Sequence, residues 1–150
     1  MEIAEWGSDQ KRHGLGTLIC VSNTEDKVSQ ATKEAIKHIN NPRDALLNLF
    51  SIKYMKLAYA SKTLRCVCPQ SYPACDVHTR KACEDLGLNI DDNDVESMVA
   101  GYLWFIEICR RIMERVKGQG PRPEGAWFIA DIEMALFQFA RSANGRLTAC

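Results

Sequence analysis

Lys53–Leu88, KYMKLAYASKTLRCVCPQSYPACDVHTRKACEDLGL, is the stretch whose reading decides the fold. Leu57, Ala58, Tyr59, Ala60 and Leu64 give its first half an apolar helical pattern, and Lys62 stands inside that pattern. An ammonium there either snorkels outward on its four-carbon stem or is held where its charge costs free energy. Pro69 and Pro73 mark a crossing that neither helix nor strand continues through. Asp76 then opens DVHTRKACEDLG with the chemistry of an N-cap, and Gly87 supplies the stop. The expectation is two short helices joined by a proline-marked link, with an amine on the first and a carboxylate fixed at the start of the second.

Working outward, Ser22 with Glu25 three residues on reads as a capping box, announcing a helix to about Ile39 with Val28, Ala31, Thr32, Ala35, Ile36 and Ile39 inward. Asn40-Asn41-Pro42 ends it and starts another, Arg43 to Phe50, apolar enough to be central. On the other side, the link Asn89 to Asn93 supplies an N-cap for a long helix to about Lys117. Helical spacing puts Trp104 and Phe105 of that helix in the core. GQGPRPEG, residues 118–125, reads as a mobile or recognition-capable hinge before a closing helix from about Ala126 to Ser142. Residues 1–21 resist assignment: Gly7, Gly14 and Gly16 interrupt them, Leu15 to Val21 fits a strand or a buried loop, and Trp6 and Leu18 are the packing candidates. The reading is an all-α single domain over 1–150, a compact bundle of about six helices.

Composition narrows the function. Nineteen basic and nineteen acidic residues argue against binding nucleic acid through bulk charge, so any such site must be local. Residues 51–82 provide one: Lys53, Lys56, Lys62, Arg65, Arg80 and Lys81 face only Asp76, while 84–96 is purely acidic. Neither a signal-peptide pattern nor a run of membrane-spanning length is present. Seven cysteines, an odd number, suit free thiols in a reducing compartment, hence a cytoplasmic or nucleoid-associated expectation. Cys66, Cys68, Cys75, His78 and Cys83 follow a C-x-C-x6-C-x2-H-x4-C spacing that fits no common structural zinc site, so no metal or other cofactor is expected. The sequence carries no reading of oligomeric state.

Ala60-Ser61-Lys62, then Pro69, Tyr72-Pro73, then Asp76-Val77-His78, resemble the helix-hairpin-helix DNA glycosylase superfamily, most closely its 8-oxoguanine-glycosylase-like branch. Trp127 to Arg141 resembles the closing helix of small proteins in that branch. The resemblance implies a glycosylase-like helical fold, DNA as partner, and excision of a damaged or modified base of the 8-oxoguanine type. It implies Lys62 as a Schiff-base nucleophile at the sugar and Asp76 as its electrostatic partner. Lys53, Lys56, Arg65, His78 and Arg80 would contact DNA, with Trp127 and Phe137 as walls for a flipped base. Asp131 and Glu133, two apart on one helix, form no acid pair, although either suits a cap or an ion pair. One departure stands out: Ser51, Ile52, Lys53, Tyr54 and Met55 occupy the place of the superfamily's Gly-rich hairpin. The alternative expectation is therefore a non-catalytic binding or regulatory module on the same fold.

Overall fold

A computed structural model describes residues 14–85, 87–91 and 93–146. Among them, seven α-helices carry the fold and no strand is present: α1 Leu15–Ser22, α2 Glu25–Lys37, α3 Pro42–Phe50, α4 Leu57–Val67, α5 Val77–Asp85, α6 Val95–Arg115 and α7 Ile129–Arg146. Trp6 and residues 147–150 lie outside the described residues. The all-α reading is therefore right, and the unassigned Leu15 to Val21 run is a helix. It is not a buried one: Ile19 is inside, whereas Leu18 and Val21 are exposed.

Local chemistry explains most of the helix ends. Asn41 caps α3 by accepting from the Asp44 amide, with Pro42 in the first turn where its missing N–H costs nothing. Thr24, rather than Ser22, caps α2, its hydroxyl accepting from the Lys27 amide at 3.3 Å. Asp94, one residue beyond the acidic link, caps α6 through the Ser97 amide at 2.9 Å. Gly87, at φ 82°, ends α5 in a left-handed turn that returns the Leu88 amide to the Cys83 carbonyl at 2.8 Å.

Helix α3 is the hub, packed against α2, α4 and α6, with Ala45, Leu46 and Leu49 fully enclosed. Helix α7 closes the other side against α5 and α6. The core joins Leu57, Ala60 and Leu64 of α4 to Val99, Tyr102, Phe105, Ile106 and Cys109 of α6 and Ile129 and Ile132 of α7. Two inward expectations fail. Ile36 is exposed because the buried stripe of α2 narrows to Ala31 and Ala35, and Trp104 is 58% exposed because it lies off the 102, 105/106, 109 row of α6. Gly101 has a packing reason: a Cβ there would stand 2.8 Å from Ile90 Cγ2.

The loop before α7 is tied down. Gly120 N–H donates to the Gly125 carbonyl at 2.8 Å, and Pro123–Gly125 form a short 3₁₀ turn. Arg122 grips Asp131 with Nε at 2.8 Å and Nη2 at 2.9 Å, its guanidinium 3.7 Å from the centre of the Phe128 ring. Asp131 Oδ2 also accepts from the Phe128 amide, so one carboxylate both caps α7 and holds the loop. The hinge expected from two prolines and several glycines is a braced turn.

Candidate functional site

Tyr72–Asp76, between α4 and α5, is the part of the chain that positions the site. It has no repeating secondary structure, yet Tyr72, Pro73, Ala74 and Cys75 are buried. A buried stretch of this kind needs partners for its backbone from elsewhere. Ser61 Oγ on α4 accepts from the Cys75 amide at 2.9 Å. The Tyr102 hydroxyl on α6 donates to the Pro73 carbonyl at 2.8 Å, and Thr79 Oγ1 donates to the Ala74 carbonyl at 3.1 Å. That same Thr79 oxygen accepts from the Asp76 amide at 2.9 Å. The Tyr72 hydroxyl anchors the entry to the Ile39 carbonyl after α2. Just upstream, the Pro69 and Gln70 carbonyls accept from the Ala130 and Ile129 amides at the start of α7, at 3.1 and 3.4 Å.

Asp76 emerges from this segment as the N-cap of α5, its Oδ1 accepting from the His78 and Thr79 amides at 3.0 and 3.2 Å. Its other oxygen faces Lys62 Nζ at 3.5 Å, and the two side chains are 15% and 20% exposed, amine and carboxylate respectively. The residues singled out from sequence are thus adjacent at the edge of the core, with a route to solvent.

Five residues extend the cluster. His78, exposed on the first turn of α5, sets its ring edge-on to Phe137 of α7, centroids 5.1 Å apart at 79°. The Arg141 guanidinium lies 5.6 Å from the same Phe137 ring. Arg65, one turn beyond Lys62, donates from Nε to Glu133 Oε2 at 2.5 Å. Glu133 is 4% exposed, and burial pushes its carboxyl up from the usual range against the pull of Arg65, with the Asp76 charge adding to the rise.

Other expected contacts sit elsewhere. Lys53 and Lys56 are exposed on the turn between α3 and α4, Lys53 Nζ lying 5.2 Å from the Tyr54 ring centre. Arg80 Nη2 reaches back to the Ile90 carbonyl at 2.7 Å, tying α5 to the link before α6. Trp127 packs on the core, its indole N–H donating to the Val116 carbonyl at 2.9 Å. The cysteines divide by depth: Cys75 and Cys109 are buried with thiols pushed up by burial, Cys83 is raised to about 11, and Cys66 is exposed. Among the described residues, no three His, Cys, Asp or Glu side chains are grouped to hold a metal ion.

Sequence reasoning passed over Ser61, Tyr102 and Thr79, the hydroxyls that hold the Asp76 segment. The available signal was a serine within the apolar row of α4 and a tyrosine within that of α6, polar atoms that burial obliges to find partners.

Set beside protein-family models, curated proteins and solved structures, the chain matches none. Among the described residues, no helix is long and apolar enough to cross a membrane.

Proposed function

We propose that the protein is a DNA glycosylase with lyase capacity, acting on a damaged or modified base of the 8-oxoguanine type in the cytoplasm or on the nucleoid. The observation that carries this reading is the half-enclosed pair of Lys62 Nζ and Asp76 Oδ2, 3.5 Å apart, with the carboxylate fixed at a helix start. The lysine amine, once unprotonated, attacks C1′ of a flipped nucleotide. The N–C1′ bond forms as the glycosidic bond breaks, and the base leaves with the bonding pair and a proton. Asp76 stabilises the positive charge developing on the sugar and takes the ammonium proton. The C1′–O4′ bond then opens, its electron pair going to O4′, which takes a proton as the nitrogen lone pair forms the imine; loss of a C2′ proton from that imine permits β-elimination of the 3′ phosphate. His78, next to the Asp76 cap, sets its ring against Phe137, and the exposed Lys53 and Lys56 supply local positive charge for DNA.

Borohydride trapping tests this. Wild type and Lys62→Gln are incubated with labelled duplexes carrying 8-oxoguanine, uracil or an abasic site. A covalent adduct in wild type, absent in the variant, is the expected result; no adduct and no base release on any duplex overturns the reading.

One observation favours the alternative, a binding or regulatory module. Four of the five amides of the turn that replaces the Gly-rich hairpin are committed: Ser51 on Leu47 and Asn48, Ile52 on Leu49, Met55 on Ile52, and Lys53 on Asn23 Oδ1 at 2.9 Å. Tyr54 takes φ 69° there without being glycine. Amides already committed cannot grip a phosphate. DNA affinity that falls steeply with salt and depends on Lys53 and Lys56, without base release, would mark this module.

A further inference from the structure

We propose that Glu133 is a positioning residue for the Lys62–Asp76 pair: it holds Arg65 and thereby leaves Asp76 to the lysine. The proposal rests on the glycosylase reading for its kinetic consequence, though not for its geometric one. Helix α4 presents two cations one turn apart, Lys62 and Arg65, toward the same side. Two carboxylates from different elements meet them, Asp76 from the start of α5 and Glu133 from α7. A guanidinium makes charge-assisted bonds to a carboxylate that are more directional than those of an ammonium, so an unpaired Arg65 competes well for any neighbouring anion. Asp131 also acts electrostatically on Arg65, but both its oxygens are engaged by Arg122 and the Phe128 amide. Asp76 has one oxygen on the α5 amides and the other facing only the lysine at 3.5 Å, a looser contact than the 2.5 Å of Arg65 with Glu133. It is the acceptor that a released Arg65 would take. His78 and Arg141 are each placed against Phe137.

Glu133 therefore assigns counter-ions. With it in place, Arg65 is neutralised within the wall and the lysine keeps its carboxylate. Without it, Arg65 swings to Asp76, and the lysine loses the group that receives its proton and orients it. Glu133 acts on the pair through Arg65 and needs no contact with the substrate.

Two measurements test it on the full-length chain. The first is the crystal structure of Glu133→Gln, an isosteric change that removes the charge. Arg65 is expected within about 4 Å of the Asp76 carboxylate, with Lys62 displaced from it. Arg65 still directed at residue 133, with Lys62 and Asp76 unmoved, overturns the proposal whether or not the protein has activity. The second is single-turnover borohydride trapping on an abasic-site duplex, where no base is present to be contacted. Glu133→Gln is expected to slow trapping by about 10- to 100-fold with DNA affinity unchanged, and Glu133→Gln with Arg65→Met to recover most of the rate. A single variant that traps at the wild-type rate, or a double variant as slow as the single, overturns the proposal while leaving the glycosylase reading standing. If wild type itself traps nothing, that reading fails and the crystal structure alone decides the role of Glu133.

Discussion

Replacing Ser61 by alanine tests whether side-chain hydroxyls hold the Asp76 segment. Ser61 is fully buried, its Oγ accepting from the Cys75 amide at 2.9 Å and donating to the Ala58 carbonyl of its own helix at 3.2 Å. The Ala58 carbonyl sits in a helix and loses little. The Cys75 amide is left in an enclosed site with no acceptor, at a cost of about 1–3 kcal/mol. Alanine's better helix propensity returns roughly 0.5 kcal/mol of this. The net loss is about 1.5 kcal/mol, which for a chain of this size lowers Tm by roughly 3–6 °C. Thr63→Ala is the matched control: its hydroxyl only bonds back to the Tyr59 carbonyl, so its change stays within about 0.5 kcal/mol. Thermal melts followed by circular dichroism give the difference, and amide exchange gives its location. Exchange at Cys75 should accelerate roughly 10-fold, the equivalent of about 1.5 kcal/mol. A Ser61→Ala protein that melts with wild type and keeps its Cys75 protection would refute the claim that this hydroxyl anchors the segment.

Asp76→Asn keeps a capping oxygen and removes the charge, so its Tm should stay within a few degrees of wild type while adduct formation is lost; Asp76→Ala should also lower stability by about 1 kcal/mol, seen as a lower urea midpoint. Gly101→Ala drives a methyl into Ile90, and an overpacking loss of about 1–3 kcal/mol is expected in denaturant melts despite alanine's helix propensity. Hydrogen bonding from Arg122 holds the Asp131 carboxyl below its ordinary value of 3.8, which means the folded state binds fewer protons than the unfolded one in that range. Its stabilising contribution is then complete above that value and lost as pH falls through the depressed one; acid melts of Asp131→Asn should show less of this decline than wild type. Thiol titration should modify Cys66 rapidly and reach Cys75 and Cys109 only on unfolding, because burial disfavours their thiolates.

What could be read ahead of the structure was local. Asp76 as an N-cap, Pro42 in a first turn and Gly87 as a stop each rest on chemistry within four residues, and each stands where it was placed. The local signals, an amine in an apolar row and a cap after a short crossing, do not by themselves bring Lys62 and Asp76 together; that pairing was expected from the resemblance. Helix α1 was not legible, since Gly14 and Gly16 suppress propensity and Leu15–Val21 shows no polar face to set a period. Thr24 was overlooked because Ser22 and Glu25 also satisfy the capping-box spacing, and only the backbone direction chooses between them. For Glu133 the burial was implicit in its place between Ile129 and Phe137, four residues from each. Its partner lies 68 residues away, and nothing in either helix alone names it.

The two halves of the candidate site are held to different tolerances. Asp76 is fixed from several directions: Tyr72 to the end of α2, Tyr102 from α6, Ser61 from α4, and the α5 amides on its own oxygen. Among the described residues Lys62 has one long contact at its head, to Asp76 at 3.5 Å. For covalent chemistry at a sugar carbon this division is appropriate. The anion must be in place before charge develops, because reorganising it during the reaction would raise the barrier. The amine must leave its counter-ion and travel to the carbon, and a four-carbon stem with a loosely held head allows that. Substitutions that loosen the Tyr72–Asp76 segment should therefore impair adduct formation out of proportion to their effect on DNA affinity, whereas a purely architectural pair would show neither effect.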